Sequence, residues 1–143
     1  LWQNGYAVDT LETATDWDNV DNLLNLMEDN LRASLSDENE NVHVFTHLSH
    51  FYGQGCSIYT TYAYRASENC EKTLSRWRKL KLKTSEIIVN NRGTISHQHG
   101  VGKDHAPYLP IEKGELAMTM LKTLCHSVDE KGILNPGTLF VDE

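Results

Sequence analysis

The sequence predicts a two-layer α+β domain, ferredoxin-like in character, with a small antiparallel or mixed sheet and helices on one face. Three observations predict it. Short stretches dense in β-branched and aromatic residues alternate with longer ones whose apolar residues recur at helical spacing. Their order reads strand, helix, strand, strand, helix, loop, helix. The two middle strands are joined by a connection short enough for an antiparallel hairpin, and connection rules then leave few arrangements.

Residues 6–15 are threonine-rich and alternate imperfectly, which reads as a strand. Residues 16–19 offer several N-cap side chains, and Val20, Leu23, Leu24, Met27, Leu31 and Leu35 then follow as one amphipathic stripe. The acidic run 36–41 reads as a solvated loop. Residues 42–51 form a second strand, with His43, Phe45, His47 and Ser49 on one face and Val44, Thr46, Leu48 and His50 on the other. No carboxylate neighbours these histidines in the sequence, so the strand alone makes a poor metal site.

A turn at residues 52–55 leads to the clearest strand, 57–65. Its alternation places Tyr59, Thr61 and Ala63 on one face and Ile58, Thr60, Tyr62 and Tyr64 on the other. Ser67 is expected to cap a second helix, buried along Leu74, Trp77, Leu80, Thr84, Ile87 and Ile88 and ending near residue 91. Arg76, Arg78, Lys79, Lys81 and Lys83 scatter around its circumference and read as a solvated face. Pro107 and Pro110 predict an irregular segment. A third helix begins near residues 112–115, with Leu116, Ala117, Met120, Leu121, Leu124 and Val128 as its apolar stripe and Met118 and Met120 as core filler. Gly132 suits a helix C′ position, and residues 133–137 form an exit turn.

The chain has 143 residues, enough for one domain with a core. A net charge of −7 argues against nucleic acid or an anionic membrane as the main partner. No apolar run approaches the length of a membrane span. Three widely spaced cysteines, Cys56, Cys70 and Cys125, suit neither a disulfide framework nor a zinc ribbon, and read as free thiols in a reducing compartment. A first residue of Leu1 instead of Met suggests a piece of a longer chain.

Residues 91–103 concentrate the chemistry. Gly93, Gly100 and Gly102 permit tight turns and close approach. His97 and His99 can donate, accept or move a proton near neutral pH. Lys103 adds a fixed positive charge.

Residues 93–103 also resemble the signature loop of the C-terminal domain of FAD-linked oxidases, a family that includes D-lactate dehydrogenases, glycolate oxidase subunits and vanillyl-alcohol oxidase. Residues 129–137 resemble that domain's ending. Residues 9–14 and 55–59 look like the alkyldihydroxyacetonephosphate synthase branch and its bacterial relatives. The resemblance covers nearly the whole chain.

It implies that residues 1–143 are the substrate or cap domain of an FAD-dependent enzyme, whose partners are a small-molecule substrate and an FAD-binding domain outside this sequence. Most members oxidise a hydroxy acid or an alcohol. The synthase branch instead exchanges the acyl group of an acyl-dihydroxyacetone phosphate for a long-chain alcohol, without net oxidation. A non-enzymatic ferredoxin-like binding module is the reading of another class.

The resemblance further implies catalytic roles for Tyr59, His97 and His99, with Gln98 standing where the synthases carry a middle histidine. Gln98, Gly100 and Asn135 would face the cofactor. Lys103 and His47 would face the substrate. The metal-dependent branch places a glutamate where Gln98 stands and a histidine where Tyr59 stands, so no catalytic metal is expected. The 143 residues alone are expected to bind little flavin. An apolar face left by the missing domain would favour self-association, and a homodimer is admitted. The implied location is cytoplasmic in a bacterium and peroxisomal for a eukaryotic synthase.

Overall fold

The structure, a computed structural model, describes residues 1–141. Its strands are β1 (Tyr6–Asp16), β2 (Val42–Phe51) and β3 (Gly55–Arg65), and its helices α1 (Val20–Ala33), α2 (Cys70–Asn90) and α3 (Leu109–Val128). The sheet runs β1-β3-β2 and both pairings are antiparallel, which removes the mixed-sheet alternative. β3 is central because it is the strand with most β-branched and aromatic side chains to offer both neighbours.

One face of the sheet carries the core. Leu11, Val42, Val44, Ile58, Tyr62 and Tyr64 meet Leu23, Met27 and Leu31 of α1 and Leu80 and Ile88 of α2. The predicted faces of β3 hold: Ile58, Thr60, Tyr62 and Tyr64 are buried, while Tyr59, Thr61 and Ala63 look to the other side. β2 keeps its predicted faces as far as Leu48. A register irregularity between Leu48 and Phe51 then brings His50 round to the side of Ser49, against the sequence expectation.

Two polar expectations are corrected by ion pairing and a third by a cap hydrogen bond. Arg76 and Lys81 of α2 are 5% and 7% exposed and do not belong to a solvated face. Arg76 donates to Glu38 Oε2 at 2.9 Å and to the Arg65 carbonyl at 2.7 Å, and Lys79 pairs with Asp37 at 2.6 Å. The acidic run is therefore strapped to α2 by charge. Burial pushes the Glu38 carboxyl up, but Arg76 and Lys72 outweigh it and hold the group below its ordinary value. The cap of α2 is Asn69, not Ser67: its side chain accepts from the Glu71 N–H at 2.8 Å.

The third helix differs most. Its helical trace starts at Leu109, with Pro110 in the first turn, and breaks at Gly114, where φ is 77°. Met118 is buried among Ile95, Tyr108 and Leu109, as expected of core filler. The predicted stripe splits: Ala117 and Leu121 are half-buried, with Leu121 against this core, while Leu116, Met120, Leu124 and Val128 are 75%, 65%, 64% and 76% exposed. The helix ends in an Asp129 whose carboxylate accepts from the N–H groups of Ile133 and Leu134, so Gly132 lies beyond the cap and not at C′.

Candidate functional site

The helix-free face of the sheet holds a buried carboxylate. Glu12 pairs with Tyr59 across β1 and β3, and Tyr59 pairs with His47 of β2, so the three residues form one cross-strand row. The Glu12 side chain is 2% exposed. A carboxylate removed from water needs partners, and removing them costs several kcal/mol. Glu12 has many. His97 Nδ1 lies 2.9 Å from Oε1, His99 Nε2 3.3 Å from Oε2, and Ser49 Oγ donates to Oε1 at 3.2 Å. His50 Nδ1 stands 3.7 Å away.

The two loop histidines reach one carboxylate because of how residues 92–97 run. This segment lies along the open edge of β1. Thr94 N–H donates to the Ala14 carbonyl at 3.0 Å and His97 N–H to the Glu12 carbonyl at 3.1 Å. Thr13 Oγ1 adds a bond to the Thr94 carbonyl at 2.7 Å. The approach requires Gly93: a Cβ there would sit 2.7 Å from Thr13 Oγ1 and 2.9 Å from Ile88 and Leu23 carbons. Gln98 then takes a left-handed conformation, φ 63°, which turns the chain so that both flanking imidazoles meet Glu12. Its amide points the other way, 3.5 Å from His50 Nε2.

The remaining rings close the cluster. Tyr59 meets His99 edge-on at 5.6 Å and stacks on His47 at 5.0 Å. His50 stands 5.5 Å from His97, and Tyr52 Oη is 2.9 Å from His97 Nε2. The structure thus brings together Tyr59, His97, His99, His47 and Gln98. Gly100 shapes the loop: its carbonyl accepts from Ser96 Oγ at 2.7 Å and lies 2.9 Å from His105 Nδ1. Lys103 is exposed, and among the described contacts it reaches none of these imidazoles. Asn135 lies elsewhere, lining a cleft of about 540 Å³ with Lys122, His126, Leu134 and Phe140.

Three members were missed in the sequence: Glu12, His50 and Tyr52. Glu12 is one of 20 acidic residues, and its strand places it 85 positions from His97. The available signal was a charged residue in the middle of a strand whose neighbours are Leu11 and Thr13. His50 was hidden by the irregularity in β2, and Tyr52 by its place in a turn. Glu12 also corrects the expectation that no carboxylate accompanies the strand histidines. Glu12, His50 and His97 offer ligand atoms within 4.8 Å of one another. Such donors are of the types that bind divalent cations, and the 2.9 Å separation of His97 Nδ1 and Glu12 Oε1 is that of a hydrogen bond.

The open face offers aromatic surface to a flat ring. Phe45, His47 and Tyr59 present aromatic surface there, and the Tyr59 hydroxyl has no hydrogen bond among the described residues. No lysine or arginine joins the cluster among the described contacts, so cofactor phosphates would find no cation in it.

The model of the family "FAD linked oxidases, C-terminal domain" matches residues 1–139. The alkyldihydroxyacetonephosphate synthase of Trypanosoma brucei brucei is 24% identical over 136 residues, 95% of this chain and 22% of that protein. The synthase of Dictyostelium discoideum is 27% identical over 139 residues, 97% of this chain and 22% of its own length. A solved alkyldihydroxyacetonephosphate synthase superposes with a TM-score of 0.61 at 21% identity, covering 92% of this chain and 20% of that one. The chain therefore spans about a fifth of the length of these relatives. It belongs to the FAD-linked oxidase family, as that family's C-terminal domain, and FAD is the family's cofactor.

Proposed function

We propose that this chain is the substrate side of an FAD-dependent enzyme similar to alkyldihydroxyacetonephosphate synthase, exchanging an acyl for an alkyl group on a dihydroxyacetone phosphate. The observation that carries this reading is the meeting of Tyr59 and His99 on the open sheet face, with a phenol left free for a ligand. FAD, when bound, supplies the ring chemistry; the chain's residues position the substrate and handle protons. Tyr59 Oη offers or takes a proton at the reacting oxygen. His99 Nε2 lies 3.3 Å from Glu12 Oε2, and His97 is oriented by a hydrogen bond to the same carboxylate. Gln98 and Gly100 line the cofactor side of the turn, and His47, stacked on Tyr59, borders the substrate. Lys103 and Asn135 stand apart from the cluster, and the reading does not rest on them.

The exposed row of α3 docks on an FAD-binding domain, and no catalytic metal takes part, because Gln98 and Tyr59 stand where the metal-dependent branch carries a glutamate and a histidine. The test is acyl-for-alkyl exchange by the full-length protein with FAD bound. Tyr59→Phe and His99→Ala should each lower turnover by about 10²-fold or more, the range of a lost acid–base group. Reduction of the flavin by a 2-hydroxy acid, with no exchange, would replace the synthase reading by an oxidase one. A tightly bound zinc or manganese required for turnover would end the metal-free assignment.

A further inference from the structure

A chain of hydrogen bonds in the cluster is left unused by that reading. Tyr52 Oη lies 2.9 Å from His97 Nε2, and His97 Nδ1 lies 2.9 Å from Glu12 Oε1. A carboxylate only accepts, so the shared proton belongs to Nδ1. Nε2 of the neutral ring is then an acceptor, and Tyr52 is the donor. Hydroxyl, imidazole and buried carboxylate in this order let the imidazole take a hydroxyl proton while the carboxylate fixes the tautomer and balances the new charge.

We propose that Tyr52, His97 and Glu12 form a proton relay whose outer end, the Tyr52 phenol, removes the proton of a substrate alcohol bound at the open sheet face. The proposal deepens the functional reading above and rests on it for the nature of the substrate. In the step, the substrate O–H bond breaks and its proton passes to Tyr52 Oη. The phenol's own proton moves to His97 Nε2. The products are one alkoxide, which keeps the bonding electron pair, and one imidazolium facing the Glu12 carboxylate. No electrons enter or leave.

The placement is built. Tyr52 N–H donates to the Gly55 carbonyl at 2.8 Å, and its own carbonyl accepts from Trp17 Nε1 at 3.1 Å. Trp17 stacks on Phe51 at 5.9 Å, so both strand ends hold the turn. The phenol remains half exposed, within reach of a ligand. Tyr59 offers a contrast. It meets His99 ring to ring, and its hydroxyl has no base at hydrogen-bond distance among the described residues. Geometry selects the general base before acidity does, and Tyr52 is the phenol with an imidazole in place. The groups facing His97 are Glu12 from β1, His50 from β2 and Tyr52 from the turn; His99 shares the carboxylate, with Tyr59 of β3 behind it. Three imidazoles thus stand around one carboxylate.

The experiment uses the full-length protein with FAD bound and 3-fluorotyrosine placed at position 52. The relay requires the fluorine resonance to move with pH as His97 titrates, and that movement to vanish in His97→Gln. Tyr52→Phe should lower kcat by about 10²-fold with KM nearly unchanged and flatten the acid limb of the pH profile. Glu12→Asp should retain more activity than Glu12→Gln, since it keeps the negative charge that balances the imidazolium. A fluorine titration identical in wild type and His97→Gln overturns the relay, as does a Tyr52→Phe enzyme with wild-type kcat and pH profile. Should the wild type neither exchange acyl for alkyl nor oxidise a hydroxy acid, the functional reading fails, while the fluorine titration still decides the relay. Tyr52 is half exposed, so its variant serves if the Glu12 variants do not fold.

Discussion

Asp9 receives three donors on one carboxylate oxygen: Tyr62 Oη at 2.9 Å, Trp77 Nε1 at 2.8 Å and Lys81 Nζ at 3.1 Å. Burial pushes this carboxyl up, yet Lys81, Trp77 and the Thr10 N–H outweigh it and hold it below the ordinary 3.8. A carboxyl lowered in the folded state adds stability that is fully present above its unfolded value. That stability is lost as pH falls through the lower, folded value. Asp9→Asn leaves the buried Lys81 ammonium without its counter-ion, so it should destabilise the domain by about 3 kcal/mol at pH 7. Denaturant melts should show the gap to wild type narrowing as pH drops below 3.8, where wild type protonates the same group. A gap that stays constant with pH would show that Lys81 is not what Asp9 stabilises. The sequence offered only part of this. Asp9 and Lys81 were visible as charges, but a charge on a helix reads as solvated until its partner is placed, and this partner is 72 positions away.

At the scale of elements, what was legible was periodicity, and what was not was the element's other side. The strand β3, β2 as far as Leu48, and the helix α1 follow their alternation and stripe closely, because one face of each meets the same core. The histidine loop was legible as chemistry, from its glycines and imidazoles, but not as a partner of β1. Its anchoring at the far end shows why. Glu112, in the first turn of α3, accepts from the Ile95 N–H at 2.7 Å and from Thr94 Oγ1 at 3.1 Å. Burial raises this carboxyl, and Lys113 together with the Ile95 and Thr94 bonds brings it below its ordinary value. One side chain therefore ties α3 to the loop that presents His97 and His99. Glu112→Ala should cost about 1–3 kcal/mol through the unsatisfied donors. It should also speed hydrogen exchange at the Ile95 amide far more than at amides in the centre of β3. Equal changes at both places would mean that Glu112 stabilises the domain globally and does not hold the loop.

The whole molecule has one core under the sheet and a second, smaller one around Ile95, Tyr108, Leu109 and Met118. Helical spacing correctly grouped Leu116, Met120, Leu124 and Val128 on one side of α3, but spacing says which residues share a face and nothing about what covers it. In this chain nothing does among the described residues, and a row of that size is unusual on a free surface. The chain accounts for 22% of the length of the synthases it matches, which leaves ample chain in a full-length protein to cover the row. A docked FAD-binding domain, as proposed, would give the row a hydrophobic role at little cost to this domain's own folding, since these side chains are exposed. That separation makes the reading testable. Leu116→Glu combined with Leu124→Glu should leave the unfolding midpoint of this domain nearly unchanged, because both positions are exposed. In the full-length protein the same pair of charges should open the interface, seen as faster proteolysis at the domain junction and faster loss of flavin on dilution. Wild-type rates of both, with the two charges in place, would show that the row faces solvent in the complete molecule and that the domains meet through another surface.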